Sequence, residues 1–336
     1  MVCTHGTARL STVLVFYLAS MCVARAAENE WQDRARFRLS EDAAISRQAD
    51  RSADWLRRHI VRVKWREREE PLPVVAWRDP TLEPANTALL AGYLITDTLW
   101  AAKALKPIDG RLSAEMEEGL RRSGWYGNGL QDILFHGLER VCHRPADEDF
   151  VHGHSLGRFT SNDGKLIDVR VFRQQWDASY DIGHPRLFAE HAVYQALWDF
   201  WQGRLAESHR RIRDALADHR TTDPEDHIFW DRSSGVLVDY VNQREWSTFS
   251  TGQMRTCRHY TFKLGVLMYA IRLLGMENEL PVSGLRDRLW SAQLDSGGVA
   301  HFVEVGKDGM VAGKSEPTGE ASAIAILAET VVPCGE

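Results

Sequence analysis

The stretch HYTFKLGVLMYAIRLL, residues 259–274, is apolar on nearly every side of a helix. Such a helix cannot face water along any stripe and must be covered all round. It is followed by SGLRDRLWSAQ, with the polar pattern of a surface helix, and then by GGVAHFVEV, which alternates like a strand. The same order occurs earlier as HAVYQALWDFW, AESHRRIRDALADH and SSGVLVDYV. It occurs a third time from Val74, Val75 and Trp77, through a helix predicted to open near Asn86, to SAEMEEGLRRSG. TGEASAIAILAETVV closes the series as one more apolar helix.

A unit that repeats in this way dictates the architecture before any motif is consulted. Fully apolar helices form an inner layer, and amphipathic partners shield them from water. The phrases GKLIDVRV and GVLVDYV place Asp168 and Asp239 at matching positions: a carboxylate pair for glycosidic chemistry is one reading, and structural aspartates that each bond to the next helix start are the favoured one. The fold class expected is all-α with short β-hairpins: an α/α toroid, or partial helical barrel, of helix-helix-hairpin repeats. A solenoid is disfavoured, because common helical solenoid repeats run roughly 33 to 47 residues and these units are longer. The double glycine Gly297-Gly298 needs no more than a sharp reversal of the chain.

The phrases LWSAQLDSGGVAHF and TGEASAIAIL resemble the last repeat of the terpenoid cyclase and protein prenyltransferase α/α-toroid superfamily. The likeness is clearest over residues 289–331. It implies the fold rather than a reaction, since one architecture hosts many chemistries.

Residues 1–26 read as a signal peptide: Arg9, an apolar run from Leu10 to Val23, then the small-x-small site Ala24-Arg25-Ala26. The run is short for a membrane span, which needs roughly 20 residues. A secreted or periplasmic location follows, with no stable membrane span after cleavage. Residues 27–72 form an N-terminal helical extension with Ile45, Ala49, Ala53, Leu56 and Ile60 at helical spacing. Residues 73–334 form the toroid domain, with a hairpin insertion at about 142–163. The chain carries 41 basic and 47 acidic residues and lacks a basic stripe, which argues against nucleic acid as a partner. Of the cysteines outside the signal segment, Cys142 and Cys257 are the favoured pair, leaving Cys334.

In a toroid the first turns of the inner helices look into the central cavity. Those positions carry Asn86, Glu190-His191, His259 and Glu320. Histidines cap helices poorly, so His191 and His259 are candidate acid/base groups, with Glu190 and Glu320 beside them as catalytic or orienting carboxyls. Asn86, Asp181, His184, Trp176 and Trp230 are candidate substrate contacts, the tryptophans because sugar rings stack on hairpin aromatics. No spacing supports a metal site, and no cofactor is called for.

Export, an acidic surface and these residues point to a carbohydrate-active enzyme, of polysaccharide lyase or glycoside hydrolase type, with a polysaccharide or other extracellular ligand as partner. The alternatives are a non-catalytic toroid that binds a ligand or partner, or an isoprenoid-handling protein. ADEDF at 146–150 lacks the Asp-x-Asp-Asp of class II cyclases, and Cys257-Arg258-His259 is only a fragment of a prenyltransferase zinc site.

Overall fold

The computed structural model describes residues 35–64, 71–75, 92–123, 132–135, 154–160, 166–172, 189–216, 229–231, 234–239, 242–279 and 282–334. Among these the chain is mostly helical, with short and largely antiparallel strands.

Two helices are buried around their whole circumference: α8 (Thr261–Leu273) and α10 (Gly319–Thr330). They touch closely because Gly265 of α8 faces Ile324. A Cβ on Gly265 would lie 2.6 Å from the Ile324 Cγ2. Their neighbours are α2 (Ile95–Leu105) and α5 (Ala189–Trp201), and the packing order is α2, α10, α8, α5. Each of these helices is backed by an amphipathic one. Helix α3 (Gly110–Ser123) lies on α2, α6 (Leu205–Leu216) on α5, α9 (Val282–Ser291) on α8, and α1 (Ala43–His59) on α10. Helix α6 buries only Ser208, Ile212, Ala215 and Leu216, the single stripe that an outer helix needs.

Helix α1 starts where the Asp42 carboxylate accepts from the amides of Ala44 and Ile45. It ends on Arg57, Arg58 and His59, which complement the dipole. It buries Ile45, Ala49, Ala53 and Leu56, while Ile60 already belongs to strand β1 (Ile60–Lys64), paired with β2 (Pro71–Val75). The segment ahead of α1 is also stitched to the end of α10: Arg38 N donates to Thr330 O at 2.6 Å, and Val332 N to Arg36 O at 2.8 Å.

Strand pairs lead from outer to inner helices. Strands β4 (His154–Thr160) and β5 (Leu166–Phe172) form an antiparallel pair ahead of α5, joined in parallel by β3 (Gly92–Leu94). Strands β6 (Phe229–Asp231) and β7 (Val236–Val238) follow α6. Strands β9 (Phe302–Gly306) and β10 (Val311–Lys314) join α9 to α10, and β8 (Thr256–Tyr260) adds to them beside β9.

Three expectations change. The helix predicted near Asn86 begins at Ile95, and Tyr93 and Leu94 belong to β3, because a short apolar run does not distinguish strand from helix. A polar helix, α4 apart, intervenes unannounced: α7 (Gln243–Ser250) lies between β7 and β8, where only a hairpin was expected; α4 is the short turn Asp132–Phe135. Cys142 lies outside the described residues, while Cys257 and Cys334 are free thiols, which goes against the Cys142–Cys257 pairing. Cys257 is buried in β8, and burial pushes its thiol up to about 12, which leaves it unreactive.

The double glycine does more than reverse the chain. Gly297 has φ 94°, as the turn requires, but a Cβ on Gly298 would lie 2.6 Å from the Pro317 Cβ and 2.7 Å from the Trp55 ring. Gln293 Nε2 donates to Gln48 O and Ser52 Oγ, and Ser52 Oγ donates to Gly297 O. The motif is therefore the seat on which α1 docks. Farther down, buried Glu329 accepts from Arg272, Arg286 and Trp290, tying α8, α9 and α10 together. Among the described residues no helix is long and apolar enough to cross a membrane.

Candidate functional site

Among the described side chains, helices α5, α8 and α10 bring Glu190, Lys263 and Glu320 to their first turns. A lysine at a helix N-terminus opposes the helix dipole, so Lys263 is stable there only with counter-charges. It has them. Its ammonium is ion-paired to the Asp239 carboxylate and lies 3.1 Å from Glu190 Oε2. That second contact is an ion pair by distance but not a well-directed hydrogen bond, since among the described residues Glu190 Oε2 has no hydrogen-bond partner. Lys263, Asp239 and Glu190 are 5%, 1% and 13% exposed at their side chains, so little water screens them.

Asp239 follows β7 and accepts from Ala189 N at 3.2 Å, at the start of α5. Its own amide is held by the Asn242 side chain. It thus joins the starts of α5 and α8, the kind of bond read from the repeat.

Burial is the main reason that the Glu190 carboxyl is raised above its ordinary value, and Lys263 partly offsets it. Glu320 is pushed up to about 8, first by burial and then by the charge of Glu190. Glu320 is partly exposed as a residue, yet desolvation of its carboxyl is the largest cause of the shift. Thr318 caps α10 by accepting from Ala321 N, which leaves the Glu320 side chain free of that duty. Tyr194, one turn after Glu190, is buried, and desolvation with the two nearby glutamates raises its phenol well above normal.

The sequence candidates separate accordingly. Glu190 and Glu320 meet at one site. His191 follows Glu190 in α5, and its side chain lies outside the described residues, as do Asn86, Trp176, Asp181 and His184. His259 is not in a first helical turn: α8 starts at Thr261, and His259 lies in β8, 1% exposed. Its Nδ1 accepts from Leu237 N at 3.4 Å. Burial, then the positive charges of Arg288 and Lys263, lower its pKa to about 3, so it stays neutral. Trp230, expected to present a face to substrate, is buried with its ring edge-on to His259 at 6.2 Å. Both residues pack the hairpin against β8.

Lys263 was missed, although a lysine in the first turn of an otherwise apolar helix was the signal. The aromatic rim was missed too. Tyr260, Phe262, His301 and Phe302 are all partly exposed and adjoin one another. The Lys263 ammonium lies 5.6 Å from the Tyr260 ring centre and 5.8 Å from that of Phe262. Among the described residues, no group of three or more His, Cys, Asp or Glu is placed to hold a metal ion.

No family model, no curated protein and no solved structure matches this chain.

Proposed function

We propose that this chain is an α/α toroid, exported by its N-terminal signal segment, that acts on carbohydrate by acid/base chemistry at the inner helix starts. The toroid reading is supported by the inner packing order α2, α10, α8, α5, by one outer partner on each, and by the pairing of residues 36–38 with 330–332. The likeness of residues 289–331 to terpenoid cyclase and prenyltransferase repeats supports that fold and no particular reaction.

One observation carries the functional reading. The charge of Glu190 raises the Glu320 carboxyl, and the Lys263 ammonium, 3.1 Å from Glu190 Oε2, favours the charged form of both. Two carboxyls in unequal surroundings divide into proton donor and proton acceptor. Glu320, protonated near neutral pH, is the donor. Glu190, nearest Lys263, is the acceptor. His259 has no part in this scheme, because a neutral buried imidazole neither supplies nor takes up a proton near pH 7.

The test is a polysaccharide panel assayed for new reducing ends and for the ultraviolet absorbance of unsaturated ends. The comparison is between the protein and its Glu320→Gln variant. Product formed by the first and lost in the second, with unchanged circular dichroism, supports the reading. A silent panel with an intact fold sinks it and leaves a toroid that binds without catalysis.

A further inference from the structure

Resting on that carbohydrate reading, we propose that the site takes an uncharged sugar unit, stacked on the Tyr260–Phe262–His301 rim, and hydrolyses its glycosidic bond rather than eliminating across a uronate.

Charge decides between the two substrate classes. Elimination from a uronate needs a cation or strong donors at the sugar carboxylate, because negative charge grows there as the neighbouring proton leaves. The described cations around this site are all engaged. Lys263 is shared between Asp239 and Glu190. Arg258 lies over the Phe302 ring at 4.9 Å and pairs with Glu245 at 3.5 Å. Arg288 donates to the carbonyls of Ser234 and Gly309. Against one ammonium stand the Asp239 and Glu190 carboxylates, with protonated Glu320 beside them. Among the described residues, a uronate entering there would meet carboxylates without a spare counter-charge, in surroundings where water screens little.

The rim offers what an uncharged ring needs. The Phe262 and His301 rings are stacked, their planes 10° from parallel with centres at 6.0 Å, and Tyr260 stands edge-on to His301 at 5.5 Å. This gives a broad apolar surface beside Lys263, with ring faces for the C–H side of a pyranose. The Glu190 carboxylate lies just beyond that ammonium.

The hydrolytic step balances with water alone. The bond between the anomeric carbon and the glycosidic oxygen breaks, and that oxygen takes the Glu320 proton. Water bonds to the anomeric carbon and gives its proton to Glu190. Transfer of a proton from Glu190 to Glu320 restores the starting state.

The test uses the full chain with two sets of oligosaccharides, neutral (glucan, xylan, mannan, chitin) and uronate (alginate, polygalacturonate). Binding is followed by titration calorimetry and cleavage by reducing ends. The expected result is binding and cleavage confined to neutral members, with affinity about tenfold weaker in Phe262→Leu and His301→Ala, the loss of roughly one ring stack. Tighter binding of uronates, or unsaturated ends among the products, overturns this inference and leaves the carbohydrate reading standing. Failure to bind either set overturns both.

Discussion

The Lys263 ammonium stands between two carboxylates that belong to different parts of the chain, Asp239 after β7 and Glu190 at the start of α5, 3.1 Å from the latter. The first turns of α5 and α8 are thus held by one buried cation. A buried charge set of this kind adds little net stability when complete and costs much when broken.

Lys263→Met is accordingly expected to destabilise the fold by about 3–5 kcal/mol, since it leaves Asp239 and Glu190 facing each other without compensation. Urea denaturation at neutral pH measures the loss. Because both orphaned groups are carboxyls, the deficit should shrink on acidification as they take up protons. A deficit that does not change with pH would show that lost packing, not charge, is responsible.

Much of the helical layering was legible because it rests on periodicity. A helix apolar on every side, such as α8 or α10, has no place except between others, and α6 advertises its single buried stripe. Glu190 and Glu320 were legible for a related reason, being acids placed just before apolar runs. The boundary at His259 was not, since His-Tyr reads equally well as the end of a strand or the start of a helix. Only the pairing of β8 with β9 decides it. The role of Lys263 depends on Asp239 and Glu190, far away in sequence, and one-dimensional patterns carry no such information. The same holds for Gly298, whose need for a missing side chain comes from Trp55 near the other end of the chain.

Glu320 should make stability fall as pH rises. Its carboxyl titrates near 8 in the fold against an ordinary 4.5, so between these values the native state holds a proton that the unfolded chain has released. Stability is then full below about pH 4.5, declines through the interval and levels off above about pH 8. Glu190 acts in the same direction. Glu320→Gln should flatten this slope and be more stable than the parent at alkaline pH. Thermal melts across the range provide the check, and an unchanged slope would count against a raised carboxyl here.

His259 should act at the other end. Its imidazole titrates near 3 in the fold and near 6.5 when unfolded, so acidification protonates the unfolded chain first. The stability due to neutral His259 is complete above about pH 6.5 and is lost as pH falls toward 3. His259→Asn should lower stability at neutral pH by leaving a poorer fit against Trp230, yet reduce the acid sensitivity. If it instead abolished product formation while the fold and acid profile stayed as before, a chemical role for His259 would return.

Gly298→Ala tests the seat of α1. The added methyl group would meet Pro317 Cβ at 2.6 Å and Trp55 at 2.7–2.8 Å, and neither a proline ring nor a fully buried indole can turn aside. Overpacking of this sort costs about 1–3 kcal/mol. The loss should fall on α1 rather than on the whole molecule, because Trp55 and Ser52 are its anchors on the Gly297-Gly298 turn. Hydrogen exchange is the suitable measurement: faster exchange in residues 43–59 with little change in α8 is the expected pattern. Uniform acceleration throughout would mean that α1 and the inner helices unfold as one unit, and that docking of α1 is a condition for the whole fold.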